Sequence, residues 1–111
     1  MPFTPAAGQL VSVETDDGQY GVMKILAADR DGVHARLYVQ RFPVRPSSGS
    51  LGDLSLAAFG PEHENPFSIG HMPLGYTSFA GWRPELIGHE AVQEEELDGY
   101  RMWEEAQGGY F

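Results

Sequence analysis

The residues of this sequence that could carry acid–base or metal chemistry are its histidines, one lysine and many carboxylates. The four histidines are His34, His63, His71 and His89. No two of them have the close helical spacing that holds zinc, and no cysteine is present to complete such a site. The Glu62-His63-Glu64 triplet would bind a metal only adventitiously, so we expect a solvated loop there. The sequence predicts neither a metal site nor a cofactor.

A histidine beside a carboxylate is a common general acid–base pair, and His34 or His71 is the candidate for that role. The sequence has no nucleophile in a recognisable elbow, no P-loop and no G-x-G-x-x-G motif. We therefore predict that the protein is not an enzyme, and an enzyme with a histidine acid–base is an alternative. That alternative requires a histidine within hydrogen-bond reach of a carboxylate inside a cleft.

Lys24 is the only lysine and lies within an apolar run of the sequence. A buried lysine has a depressed pKa and can be reactive, but we expect an exposed lysine whose stem lies along the sheet. A second hypothesis is a small-ligand or peptide groove built around the aromatic rings of Tyr38, Phe79 and Trp82. The candidates for a ligand groove are Lys24, His34, Arg36, Tyr38, His71 and Trp82.

The acidic residues are concentrated in the last part of the chain. The formal net charge is −9, and residues 82–111 hold eight acidic residues but only two basic ones. This charge repels nucleic acid and anionic lipid and attracts basic proteins. The candidates for partner binding are Glu94, Glu95, Asp98, Glu104 and Glu105. The simpler interpretation is that the acidic residues only keep the protein soluble.

The elements that must position these residues begin with a three-stranded β-meander. Apolar-rich runs at Gln9–Val13, Gln19–Ala28 and Val33–Phe42 are separated by two turns that end in Asp-Gly, the pair most typical of hairpins. Apolar residues on both faces of the second run predict a strand covered on both sides. In the third run, alternation predicts that His34, Arg36, Tyr38 and Gln40 line an outer surface or groove, whereas Val33, Ala35, Leu37 and Val39 face the core.

The second half of the chain is less regular. Pro43–Ser50 is a break, Leu51–Phe59 is compatible with a strand or a short helix, and Gly60–Pro66 is a charged loop. We predict a fourth strand at Phe67–Leu74, interrupted near Pro73, then turns with exposed aromatic residues at Gly75–Pro84, and a fifth strand at Glu85–Val92.

A C-terminal helix is predicted, with Glu94–Glu96 and Asp98 near its N-terminus and a stop at Gly108-Gly109. Because Asp98-Gly99 weakens the early turns, a start at Asp98 as the N-cap is the alternative. Leu97, Tyr100 and Trp103 should dock this helix on the sheet. The predicted fold is a single α+β domain over residues 1–111, mainly β. We expect a small, strongly bent antiparallel sheet or an SH3-like partial barrel with a C-terminal helix.

Composition also limits where the protein acts. The chain has no cysteine, no apolar run long enough to span a membrane and no signal peptide, so we expect a cytoplasmic protein. It should be a monomer or a homodimer. A dimer would use an apolar patch formed by Tyr76, Phe79, Trp82, Tyr110 and Phe111.

Five segments carry a resemblance to a bacterial family. They are Tyr20-Gly21-Val22-Met23-Lys24-Ile25-Leu26, Arg36-Leu37-Tyr38, Phe42-Pro43-Val44-Arg45-Pro46, Ile69-Gly70-His71-Met72-Pro73-Leu74, and Leu97-Asp98-Gly99-Tyr100-Arg101-Met102-Trp103 followed by Gly108-Gly109. The sequence resembles small, largely uncharacterised bacterial proteins similar to the immunity-protein-26-like family of polymorphic toxin systems. The resemblance implies a protein that binds and neutralises a cognate toxin, and it supplies no catalytic residues.

The predicted function is therefore a non-enzymatic cytosolic module that binds a basic protein. The resemblance implies that this partner is a toxin, and we expect the acidic surface to make the contact. A small-ligand- or peptide-binding β-barrel is the alternative from a different class of proteins. Neither nucleic acid nor a membrane is an expected partner.

Overall fold

The first three strands pair in sequence order as a meander, and one later strand is added at each edge of it. The computed structural model describes residues 3–15, 18–52, 54–55 and 69–111. Its strands are β1 (Gln9–Glu14), β2 (Tyr20–Ala28), β3 (Gly32–Leu37), β4 (Ile69–Gly75) and β5 (Glu85–His89). They form one antiparallel sheet in the order β4-β3-β2-β1-β5, which is not closed into a barrel. The fold is thus α+β and mainly β, as the sequence predicted.

The turn between β2 and β3 is closed by a side chain. The Asp29 carboxylate accepts hydrogen bonds from the backbone N–H groups of Asp31 at 2.7 Å and Gly32 at 3.1 Å. An aspartate at the start of a turn commonly does this, so the Asp-Gly prediction holds here. In the first hairpin, Asp16 and Asp17 lie outside the described residues, and Gly18 has a φ of 77°.

The third strand is shorter than predicted and ends at Leu37 instead of Phe42. Beyond it, the carbonyl groups of residues 38, 39 and 40 all accept hydrogen bonds from one nitrogen of Arg41. The backbone has left the sheet here, and Phe42 returns only as an isolated bridge to Tyr20. The fifth strand likewise ends at His89 instead of Val92, because the next two residues turn toward the buried side chain of Lys24.

The fourth strand runs through Pro73 without the predicted interruption. β4 lies at one side of the sheet, where the missing N–H of a proline breaks no ladder. On its outer side, the Phe111 N–H donates to the Pro73 carbonyl and the Gly75 N–H donates to the Phe111 carbonyl, both at 2.9 Å. The start of the predicted strand, Phe67, lies outside the described residues.

Most of Leu51–Phe59, the loop Gly60–Pro66 and its His63 lie outside the described residues. The described members of the first segment, residues 51, 52, 54 and 55, form neither helix nor strand.

One face of the sheet packs the main hydrophobic core. It is formed by buried side chains of β1 to β4 together with Phe79 from a short helix, α1 (Tyr76–Gly81). The prediction of exposed aromatic residues over Gly75–Pro84 is therefore wrong for Phe79, which is completely buried. It cannot belong to a surface patch or a groove, whereas Phe111 is 77% exposed. The β2 side chains from Val22 to Leu26 are buried on both faces, as predicted.

The second face of the sheet is covered by the C-terminal segment. A 3-10 turn, Glu94–Leu97, leads into α2 (Asp98–Glu105). Asp98 is the first helical residue and not the N-cap, because the turn before it is already helical and is capped by Gln93. The left-handed residue after the helix is Gln107, with a φ of 52°, and not a glycine. No helix in the described parts of the chain is long and apolar enough to cross a membrane.

Candidate functional site

Lys24 is the centre of a buried charged cluster. Its side chain is completely inaccessible, and its Nζ donates to Glu90 Oε1 at 3.0 Å, the Ala91 carbonyl at 2.8 Å and Glu96 Oε1 at 2.9 Å. Three acceptors use all three ammonium protons. The prediction of an exposed lysine is therefore wrong, because the residues that follow β5 fold over this position and supply its partners.

Glu96 joins this cluster to the neighbouring strand. Its second oxygen lies 3.2 Å from the guanidinium of Arg36, which is the cross-strand partner of Lys24. Its first oxygen also accepts the backbone N–H of Gln93 at 2.8 Å. Burial acts to raise the pKa of Glu96, but the Gln93 hydrogen bond and the two cations outweigh it and lower the pKa. We name Lys24, Arg36, Glu90 and Glu96 the charged cluster.

His34 is the centre of a second, aromatic cluster on the same face. It is 1% exposed, and the rings of His71, Tyr100, Trp103 and Tyr110 surround it with centroid distances between 4.3 and 5.2 Å. Tyr100 and Trp103 come from α2, so they dock the helix on the sheet as predicted. The expectation that His34 faces an outer surface or open groove is wrong, since the C-terminal segment covers it.

The hydrogen bonds of the aromatic cluster form a chain that ends on a carboxylate. His71 Nε2 lies 2.9 Å from His34 Nδ1, His34 Nε2 lies 2.8 Å from the Tyr110 hydroxyl, and that hydroxyl lies 2.7 Å from Asp29 Oδ2. The Tyr110 hydrogen bond lowers the pKa of Asp29, and an ionised carboxylate only accepts. Tyr110 must therefore donate to Asp29.

With a neutral His34, the direction of the Tyr110–Asp29 bond fixes the direction of the other two bonds. Because the Tyr110 proton is given to Asp29, its oxygen accepts from His34 Nε2–H, and His34 Nδ1 is left to accept from His71 Nε2–H. Both imidazoles are neutral in this arrangement. Burial, and then the proximity of His71, lower the pKa of His34 to about 4, and burial lowers the pKa of His71. The lowered pKa values favour these neutral forms.

This geometry differs from the one that a histidine acid–base requires. His34 reaches Asp29 only through the hydroxyl of Tyr110, and it lies beneath α2. Within the described ranges, a cleft on this face of the sheet is lined by His89 and by neither His34 nor His71.

That cleft has a volume of about 470 Å³ and opens on the sheet face beside the charged cluster. Its walls come from β1, from the end of β5 and from the segment around the 3-10 turn Ser48–Ser50. The lining residues are Leu10, Tyr38, Ser48, Leu51, Gly52, Leu54, Gly88, His89 and Glu90. Tyr38 is 5% exposed. Burial, and then the charges of Glu96 and Glu90, raise the pKa of Tyr38 to about 12, so its hydroxyl stays protonated.

The predicted groove residues are thus distributed over separate places. Lys24 and Arg36 share the charged cluster with Tyr38 nearby, and His34 and His71 share the aromatic cluster. Trp82 packs against the core on the opposite face of the sheet from Tyr38. No groove formed by Tyr38, Phe79 and Trp82 exists among the described residues.

All five predicted partner-binding acids are exposed: Glu94, Glu95, Asp98, Glu104 and Glu105. We name these residues the acidic surface. Glu94 forms an ion pair with Arg101 at 2.6 Å. In the described structure, Glu95, Asp98 and Glu105 have no hydrogen bond or ion pair from their side chains.

Sequence reasoning did not single out the residues that complete the two clusters. In the sequence, Glu90 and Glu96 lie in the acidic last part of the chain, Asp29 lies in a turn and Tyr110 lies in the predicted apolar patch. No local pattern distinguishes them from their neighbours. A lysine inside an apolar run is the one available signal, since a buried ammonium requires acidic partners somewhere in the chain.

No family model, curated protein or solved structure matches this chain. The geometry of the two clusters, the cleft and the acidic surface is therefore the basis on which function is inferred.

Proposed function

We propose that this protein is a non-enzymatic binding module that holds a basic protein partner on its acidic surface. The observation that carries the proposal is the firm attachment of the acidic segment to the sheet. Its first turn is tied to Lys24 and Arg36 through Glu96. Its helix is held on His34 by Tyr100 and Trp103.

This attachment matters because it fixes where the exposed charges lie. Five exposed carboxylates lie on one short segment that has two anchors on the same face of the sheet. A fixed field of one sign raises the rate at which an oppositely charged protein associates, without an ordering penalty for the surface that carries it.

Three of the seven basic residues are held in contacts inside the fold. Lys24 and Arg36 form ion pairs within the charged cluster. Arg45 contacts the Ser12 hydroxyl at 2.9 Å and the Glu85 carboxylate at 2.8 Å. Its guanidinium carbon lies over the ring of Tyr20, 4.9 Å from the ring centroid. The negative charge of the chain is consequently displayed while much of its positive charge is not.

In keeping with the family resemblance, we propose that the partner is a basic toxin and that this chain is its immunity protein in the cytoplasm. Acidic inhibitors of basic enzymes gain fast and salt-sensitive binding from electrostatic steering. Blocking such an enzyme requires only contact, so no catalytic residues are needed here.

The test is affinity capture followed by kinetics on the captured protein. The tagged chain is exposed to source-cell lysate in low and high salt, and the retained protein is identified and purified. We expect one basic protein whose association rate falls about tenfold between low and physiological salt. Replacement of Glu95 and Glu105 by glutamine should lower the low-salt rate severalfold.

The matched control removes two exposed carboxylates elsewhere, Glu14 and Glu85, which form surface ion pairs with Arg45. This double variant should keep the wild-type association rate. An equal loss of association rate in both variants would mean that the rate depends on the net charge alone and not on the acidic surface. A partner that binds the Glu95→Gln/Glu105→Gln variant as well as the wild type would contradict the proposal.

A further inference from the structure

The cleft beside the charged cluster has the features of a ligand site that the acidic surface does not use. Its volume of about 470 Å³ lies within the range of pockets that hold small organic molecules. Leu10, Leu51 and Leu54 give it an apolar wall, and they belong to the minor hydrophobic cluster of this face. Leu51 and Leu54 are only partly buried, so an apolar ligand would remove further surface from water.

The charge open to this cleft is negative. Glu90 has a side chain that is 58% exposed, and only one of its oxygens is engaged by Lys24. Lys24 has no proton left for a ligand, because Ala91 and Glu96 take the other two. Its positive charge is also shared between two carboxylates, so Glu90 is incompletely neutralised.

The other polar groups of the cleft suit a hydrogen-bonding cation. The phenol of Tyr38 is uncharged and lies against the same wall as Leu10. Ser48, with a hydroxyl, and His89, with an imidazole, are exposed residues of the cleft lining. None of these groups supplies a fixed positive charge for an anionic ligand.

We propose that this cleft binds an organic cation, an ammonium or guanidinium group carried on an apolar chain. The cation pairs with Glu90, and the chain lies against Leu10, Leu51 and Leu54. The cation has two possible sources, a free amine or the side chain of a lysine or arginine in a bound protein. The recognition chemistry is the same for both, and it does not depend on the acidic surface.

The experiment is a titration of the full ¹⁵N-labelled chain with n-hexylammonium, n-hexylguanidinium and hexanoate, followed by amide chemical shifts. The two cations should saturate with a Kd of about 1 mM, and their shifts should centre on Leu10, Leu51 and residues 88–90. Hexanoate has the same apolar chain and the opposite charge, so it should not saturate. Equal binding of hexanoate, or shifts centred on residues 94–105, would overturn the proposal.

Two variants locate the site. Glu90→Gln should weaken the cations about tenfold, but it also removes a partner of Lys24. Gly88→Ala therefore provides an independent test. A Cβ at residue 88 would lie 3.6 Å from Ser48 Cβ and 3.9 Å from Leu10 Cδ1. These are ordinary van der Waals distances to two residues that line the cleft. The substitution should weaken binding severalfold with no loss of stability.

Gly81→Ala is the matched control, since a Cβ there meets no atom within 4 Å and residue 81 does not line the cleft. An unchanged Kd in Gly88→Ala would overturn the proposal. The Glu95→Gln/Glu105→Gln variant should bind the cations with the wild-type Kd, which separates this site from the proposed function. A lysine tripeptide that binds more tightly than n-hexylammonium would identify a protein side chain as the source, and the reverse order a free amine.

Discussion

Lys24 and Glu96 are 72 residues apart in the sequence and meet at 2.9 Å, with side chains that are 0% and 9% exposed. A buried ion pair adds little net stability compared with apolar residues, but the loss of one partner leaves an uncompensated charge. The pair thus holds the C-terminal segment in one position on the sheet.

The first prediction concerns this pair. Lys24→Met should lower the free energy of unfolding by about 3 kcal/mol or more, because it leaves Glu90 and Glu96 without their ammonium partner. Glu96→Gln alone should also destabilise. The double variant should lose clearly less than the sum of the two, as measured by urea unfolding. Strict additivity would mean that the two side chains are not coupled.

The second prediction is a loss of stability in mild acid. Unfolded histidine titrates near pH 6.5, whereas the pKa of folded His34 is lowered to about 4 by burial and by His71. Between these pH values the unfolded chain binds a proton that the folded chain does not, so acid favours unfolding. The free energy of unfolding should fall by about 2 kcal/mol from pH 7 to pH 5.

This window can be separated from carboxylate titration. Asp29 and Glu96 have lowered pKa values, so their contributions are present above the usual carboxylate range and are lost only at lower pH. His34→Leu should reduce the slope between pH 7 and pH 5. A wild-type stability that is constant over this range would contradict the neutral histidine chain.

The third prediction tests the hydroxyl of Tyr110. Tyr110→Phe removes the donor to Asp29 and the acceptor of His34 Nε2–H, which should cost about 2 kcal/mol of unfolding free energy. Tyr100→Phe is the matched control. Its hydroxyl makes one exposed hydrogen bond of 3.3 Å to Glu104, so its removal should cost about 0.5 kcal/mol or less. Thermal or urea unfolding of the two variants compares them directly.

The fourth prediction concerns the turn after α2. A Cβ at residue 108 would lie 2.3 Å from Cδ1 of Trp103, so Gly108→Ala must displace the indole or the turn. We expect a loss of about 2 kcal/mol and a change in the indole N–H resonance, which now reflects the 2.9 Å hydrogen bond to the Gly109 carbonyl. Gly109→Ala, whose Cβ meets no atom within 4 Å, should alter neither quantity.

The features that the sequence predicted correctly are those encoded locally. The Asp29–Gly32 turn and the apolar alternation of Val33, Ala35 and Leu37 each depend on a few adjacent residues. The meander and its core face could therefore be predicted from the sequence. The short helix α1 was missed because six residues are too few to show a helical period.

The candidate site depended on contacts that no local pattern encodes. Alternation placed His34 and Arg36 on the correct face, but it could not show that residues beyond 90 would cover that face. Lys24 was assigned to solvent for the same reason, since its partners are 66 to 72 residues away. The five exposed acids were identified correctly as surface residues, because carboxylates are rarely buried without a partner.

The pairing of Phe111 with β4 has a consequence for association between molecules. An uncovered outer strand is a template on which strands from other chains can add, leading to domain swapping or aggregation. Here Pro73 has no N–H to offer, and the Pro73 carbonyl and the Gly75 N–H are already occupied by Phe111. Addition of a foreign strand at this edge would first have to displace Phe111, so its docking protects this edge against amyloid-like growth.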